Sequence, residues 1–255
     1  MRISNSKIRL ILLSLLLVGL CNCTQISPLS DVPIEDPSLI RAKLYVSKAV
    51  NSNGGTSQAI YARLEDKNGD RIELEQGSVS VNGLIMQVSR EVNFVPPFII
   101  NTNLPYYTIS EGRLSVLPDS TYAFKITLAD KKEYSATIHT QENDLNALVV
   151  PSAHRRTRPL TIKWTVADGR YPIRIYTVRW SKENGQDRIH SASFDASNPG
   201  GGEYTFSENF FAEFPDTYRV NFTVSSRKEG QVDTAFAGGS HISSVFSVSK
   251  SVEIQ

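Results

Sequence analysis

From Leu39 onward apolar and polar residues alternate with a period of two, and helical spacing is almost absent. Ile60, Ala62 and Leu64 alternate with Tyr61, Arg63 and Glu65, and after Lys67-Asn68-Gly69-Asp70 the alternation resumes at Ile72 and Leu74. Val79 and Val81 lead into a second Asn-Gly pair, Asn82-Gly83, with Leu84, Met86 and Val88 beyond it. Asn-Gly between alternating runs predicts a tight hairpin, because a type I′ turn needs positive φ at both central residues. Tyr122, Phe124, Ile126 and Leu128 form another inward set, answered by Tyr134, Ala136 and Ile138 after Asp130-Lys131-Lys132. Short strands with turn signals at this spacing predict an all-β chain of antiparallel β-sandwiches.

The N-terminus departs from that pattern. Arg2, Lys7 and Arg9 precede an apolar run from Leu10 to Leu20, roughly 16 Å as a helix and about half a bilayer core. It reads as a signal peptide, residues 1–22, rather than a membrane span. Its end, Val18-Gly19-Leu20-Cys21-Asn22-Cys23, resembles the lipobox of bacterial lipoproteins. With Cys23 as acceptor Leu20 stands at −3, and Cys21 is the alternative, with Gly19 before it; an ordinary signal peptide is the other reading. The resemblance implies acyl chains on the new N-terminus and an extracytoplasmic protein anchored to the bacterial outer membrane. Residues 23–38 carry Pro28, Pro33 and Pro37 and read as an extended tether, roughly 45 Å long as polyproline II.

A break rich in Pro and basic residues at 143–158 separates two strand-forming stretches, 39–148 and 149–255. Within the second, Trp164, Pro172-Ile173 and Tyr176-Thr177-Val178 resemble the B–C region of fibronectin type III domains. Leu117-Pro118-Asp119-Ser120-Thr121-Tyr122 recurs, one residue shorter, as Phe214-Pro215-Asp216-Thr217-Tyr218. The repeat points to two copies of one architecture. The combination resembles Bacteroidota-type lipoproteins with tandem immunoglobulin-like and fibronectin type III-like sandwiches. That resemblance implies structural roles for Trp164, Tyr122 and Tyr218, the two tyrosines as corners whose hydroxyls bond back to the preceding turn.

Composition then narrows function mainly by exclusion. A formal net charge of +1 argues against a dedicated nucleic-acid binder. Both Cys, Cys21 and Cys23, sit at the signal end, so the body offers no thiol, and no cofactor is expected. Asp66-x-Asn68-x-Asp70 starts like a calcium loop, but Arg71 and Gly77 stand where that loop needs Gly and Glu, so a hairpin turn is expected. His139, His154, His190 and His241 show no metal-ligand spacing, no metal site is expected, and no catalytic set is found. His154–Arg158 reads as a solvated basic linker with anionic lipid or glycan as the alternative. Two aromatic segments remain. Residues 207–214, with Phe210, Phe211 and Phe214, read as a plug closing a sandwich end. Residues 94–107 leave a plug and a contact loop equally open, and the contact reading makes Phe98, Tyr106 and Tyr107 exposed ligand-contact residues. Asp119-Ser120-Thr121 and Asp233-Thr234-Ala235 resemble O-glycosylation acceptors of Bacteroidota extracytoplasmic proteins, making Ser120 and Thr234 candidates. The expected function is a non-enzymatic, membrane-anchored module binding a glycan or an envelope protein, the alternative being a structural adhesion or spacer subunit.

Overall fold

The computed structural model describes residues 25–95, 98–110, 112–142, 145, 147–164, 171–183, 185–196, 202–212 and 215–255, with the backbone alone for 92–95 and 98–102. The strands are β1 Arg41–Val50, β2 Thr56–Glu65, β3 Ser78–Val81, β4 Leu84–Ile85, β5 Gln87–Val95, β6 Phe98–Thr108, β7 Thr121–Thr127 and β8 Glu133–His139. They continue with β9 Leu148–Val149, β10 Ala153–His154, β11 Leu160–Trp164, β12 Ile173–Glu183, β13 Gln186–Asp195, β14 Glu203–Phe206, β15 Thr217–Glu229, β16 Gln231–Val232 and β17 His241–Ile254. The all-β expectation holds.

In the N-terminal part β1-β2-β6-β5 face β4-β3-β7-β8, and in chain order this is the A-B-E-D against C′-C-F-G arrangement of an immunoglobulin-like sandwich. In the C-terminal part three strands, β9-β11-β14, face four, β17-β15-β12-β13. The alternation places Ala42, Leu44, Val46, Ile60, Ala62 and Leu64 inside the first sandwich against Val79, Phe124, Ile126 and Ile138, all buried. Leu160, Ile162 and Trp164 meet Ile173, Ile175, Phe222 and Val224 in the second. The Asn82-Gly83 hairpin has both residues at positive φ, 47° and 79°, as a type I′ turn requires. Asn68-Gly69 does not begin a strand; Arg71 forms a single bridge to Glu65 and Ile72 drops into the core.

The expected boundary between 148 and 149 does not separate the sheets. Strands β15 and β17 are 13 and 14 residues long, more than twice the usual length, and run through both sandwiches. Beyond their second-sandwich pairing, His241–Val248 of β17 lies parallel to Lys43–Val50 of β1, and one sheet runs from β13 to β5. On the other layer β16 adds to β8, Gln231 opposite Thr137. The chain turns from β15 to β16 at Gly230, where a Cβ would collide with the Thr137 carbonyl oxygen, so only glycine fits this approach. Gln141, 3% exposed, locks the junction. Its Nε2 donates to the Ser226 and Ser244 carbonyls at 3.0 and 3.1 Å, and its Oε1 accepts from Ser244 Oγ at 2.6 Å.

Residues 25–40 are a strap rather than an extended tether. Pro28 and Pro37 each open a 3-10 turn, Pro28–Asp31 and Pro37–Leu39, with Ser27 and Asp36 as side-chain caps. Ser27 and Ile34 are buried, and the Ile34 carbonyl accepts from Ala129 N at 2.9 Å. Pro28 and Pro37, expected in an extended tether, instead start turns that fold the segment onto the first sandwich.

Candidate functional site

Asp66 is the buried centre of the strap's attachment. Its Oδ2 accepts from Ser27 Oγ at 2.9 Å, and its Oδ1 accepts from the backbone N–H groups of Asn68 and Asp70 at 2.8 and 3.0 Å. Burial pushes its carboxyl upward, but these hydrogen bonds outweigh burial and hold it below the usual carboxylate range. The Asp70 carboxylate accepts from Gln25 N at 3.0 Å. The oxygen-rich turn therefore binds the strap, and among the described residues no group of His, Cys, Asp or Glu is placed to hold a metal ion.

Beside this turn, charges alternate on the outer face of the large sheet. Lys43 Nζ lies 2.6 Å from Glu65, Arg71 bridges Glu65 and Glu91 at 3.9 and 3.5 Å, and Arg63 Nη2 meets Glu91 at 2.9 Å. Arg71 is buried, and that burial, followed by the neighbouring Arg63 charge, lowers its pKa. Next along the sheet Tyr45 and Tyr61, a direct cross-strand pair, stack with ring centroids 4.7 Å apart. The Tyr45 hydroxyl lies 2.9 Å from His241 Nε2, and the Arg63 guanidinium covers the Tyr61 ring at 5.3 Å. Burial raises the pKa of both phenols.

A cleft opens where β6 leaves the sheet. Only Thr108 and Tyr107 of β6 pair with β2, whereas β6 remains paired with β5 to the hairpin's far end. The trough between β2 and the hairpin has a volume of about 470 Å³, and its lining includes Tyr61, Arg63, Arg90, Glu91, Tyr106 and Thr108. Arg90 in turn bonds Glu73 and the Asn103 carbonyl. Two phenol rings and an Arg–Glu pair thus share one open concavity. That combination offers a flat apolar face beside charged hydrogen-bonding groups.

The aromatic segment 94–107 is a strand pair rather than a loop. Tyr106 enters the cleft half-buried. Tyr107 is not exposed, correcting that expectation: it is 3% exposed, and its hydroxyl accepts from Leu74 N at 2.7 Å. Strand alternation sends the two neighbours to opposite faces, and burial pushes the Tyr107 phenol up to about 12. The side chain of Phe98 lies outside the described residues, as do Cys21 and Cys23. Tyr45, Tyr61 and His241 were missed as site residues. Their signal was present in the polar-face register Tyr61-x-Arg63-x-Glu65, where an aromatic holds an outward position.

The remaining sites divide. Tyr122 forms the expected corner, donating to the Ser115 carbonyl at 2.7 Å and accepting from Leu117 N at 2.8 Å. Tyr218 does not. The shorter repeat brings a register shift at Trp180/Ser181, Thr217 takes the buried position, and the Tyr218 hydroxyl donates outward to Asp187 at 3.2 Å. Trp164 is buried, 5% exposed. Phe211 is buried and Phe210 packs against Phe206 and Phe222, so the described part of 207–214 is a plug. Phe214 lies outside the described residues. His154–Arg158 is not a free linker: His154 is in β10, beside β17, and Arg156 donates to the Thr217 carbonyl at 2.9 Å. The Ser120 hydroxyl donates to the Pro118 carbonyl at 3.0 Å, and Thr234 is exposed.

No protein-family model matches the sequence, and no curated protein matches it. Among solved structures, the FN1–FN3 domains of chicken CNTN1 align over 84% of this chain and 68% of that one at 10% identity, with a TM-score of 0.24. The immunoglobulin-like assignment rests on the strand order.

Proposed function

We propose that the chain is an extracytoplasmic module, lipid-anchored through Cys23 to the outer membrane, that binds a glycan in the cleft between β2 and the β5–β6 hairpin. The observation that supports this reading is the pairing of Tyr61 and Tyr106 with Arg63 and Glu91 in one open concavity. A pyranose presents an apolar C–H face to the Tyr106 ring and hydroxyls to the Arg63–Glu91 pair, which together donate and accept, while Tyr61, stacked on Tyr45, holds the Arg63 guanidinium in place. Cys21 is the alternative acyl acceptor. Among the described residues no helix is long and apolar enough to cross a membrane.

The test is affinity electrophoresis of the protein body through immobilised polysaccharides, followed by titration calorimetry on those that retard it. Tyr106→Ala should weaken retention about tenfold, since losing an aromatic contact near 1.5 kcal/mol is worth that factor, and Tyr61→Ala should weaken it by releasing Arg63 from its place over the ring. Retention unaltered by both substitutions moves the site elsewhere. Failure of every polysaccharide to retard the protein favours the spacer reading, for which the edge strands β5 and β13 at the ends of the large sheet supply pairing surfaces.

A further inference from the structure

We propose that the strap end of the first sandwich rests against phospholipid headgroups, with the second sandwich directed away from the bilayer. This rests on the lipid anchor proposed above. The chain is clamped from its first described residue: Gln25 N donates to Asp70 Oδ1 at 3.0 Å, its carbonyl accepts from Arg71 N at 2.8 Å, and Ser27 N donates to the Arg71 carbonyl at 2.8 Å. Ser27, 1% exposed, adds its hydroxyl bond to buried Asp66. Gln25 is two residue steps from Cys23, a reach of at most about 7 Å, and even Cys21 allows only about 14 Å. An acyl-bearing Cys23 in the bilayer interface therefore brings the Asp66–Asp70 turn to the headgroups. A free polyproline tether would have allowed roughly 45 Å.

The topology decides which way the rest points. The Asp66–Asp70 turn follows the end of β2, beside the start of β1, since Glu65 pairs with Arg41. The same end holds the start of β17, where His241 pairs with Lys43. From there β17 runs about 44 Å to Ile254 in the second sandwich, taking 3.4 Å per residue. The strap leaves Ile26, Val32 and Leu39 between 39% and 47% exposed. Between Gln25 and Ile40 its charges are Asp31, Glu35 and Asp36, with no Lys or Arg. With no basic residue in the strap to select anionic lipid, contact is imposed by chain length, and neutral phosphatidylcholine suffices.

The full-length lipidated protein in phosphatidylcholine vesicles tests this, with bimane attached at Lys67→Cys or Ser251→Cys and a nitroxide quencher on the lipid headgroup. Both positions are exposed, one in the anchored turn and one in distal β17. The protein should float with the vesicles, the Lys67 label should lose most of its emission, and the Ser251 label should keep it. Inserting twelve Gly/Ser residues after Thr24 should leave flotation intact and abolish quenching at Lys67. Failure to float removes the lipid anchor itself. Flotation with an unquenched Lys67 label, or with both labels quenched, overturns the proposed contact or orientation while leaving the anchor in place. Quenching that survives the insertion overturns chain reach as its cause.

Discussion

Gln141→Leu tests whether the two sandwiches unfold as one body. The side chain is nearly buried and makes three hydrogen bonds, all to residues of the other sequence half. Each is worth about 1 kcal/mol net. Leucine has a similar size and returns about 1 kcal/mol through apolar burial, leaving a loss of about 2 kcal/mol. For a chain of this length that corresponds to a fall in Tm of about 4–8 °C. The assay exploits the position of both tryptophans, Trp164 and Trp180, in the second half. Tryptophan fluorescence in urea follows that half, while far-UV circular dichroism follows all strands. Shared β15 and β17 require the substitution to move both transitions together by the same amount. A tryptophan-detected midpoint that stays still while the dichroism midpoint falls refutes the shared-sheet reasoning.

Two further outcomes follow from local geometry. Tyr122→Phe should cost about 1–2 kcal/mol, because it removes a hydroxyl bonded at both ends, whereas Tyr218→Phe at its exposed Asp187 contact should cost under about 0.5 kcal/mol; equal costs in urea denaturation would contradict the corner assignment. Asp66 has a folded pKa below its reference of 3.8, so its contribution to stability is fully present above that value and is lost as pH falls through the folded pKa. Hydrogen exchange at Asn68 and Asp70 should therefore accelerate below about pH 4 in the native chain, and Asp66→Asn should flatten that dependence; an unchanged profile in the variant assigns the titration elsewhere.

Strand alternation, Asn-Gly turns and the spacing of the repeat were enough to specify an all-β chain of two sandwiches, because side-chain period and turn φ are local properties of the backbone. Ile60-x-Ala62-x-Leu64 declares its inward face without any partner, and Asn82-Gly83 declares its turn. Tyr122 was legible for the same reason: its corner closes within seven residues. Tyr218 was not, since one missing residue changes register, and which face then turns inward depends on pairing with β12. The strap was misread because Pro28 and Pro37 are compatible with both an extended tether and a turn start, and the choice lies with Asp66, 39 residues from Ser27. The cleft likewise needed the third dimension: Tyr61 and Tyr106 lie far apart in the chain, and only the divergence of β6 from β2 opens space between them. The union of the two sandwiches is decided by pairs such as Leu44 with Ile242, which no local pattern encodes. Period and turn chemistry act over a few residues; register, close approach and shared strands are set by contacts between distant segments, which exist only once the chain has folded.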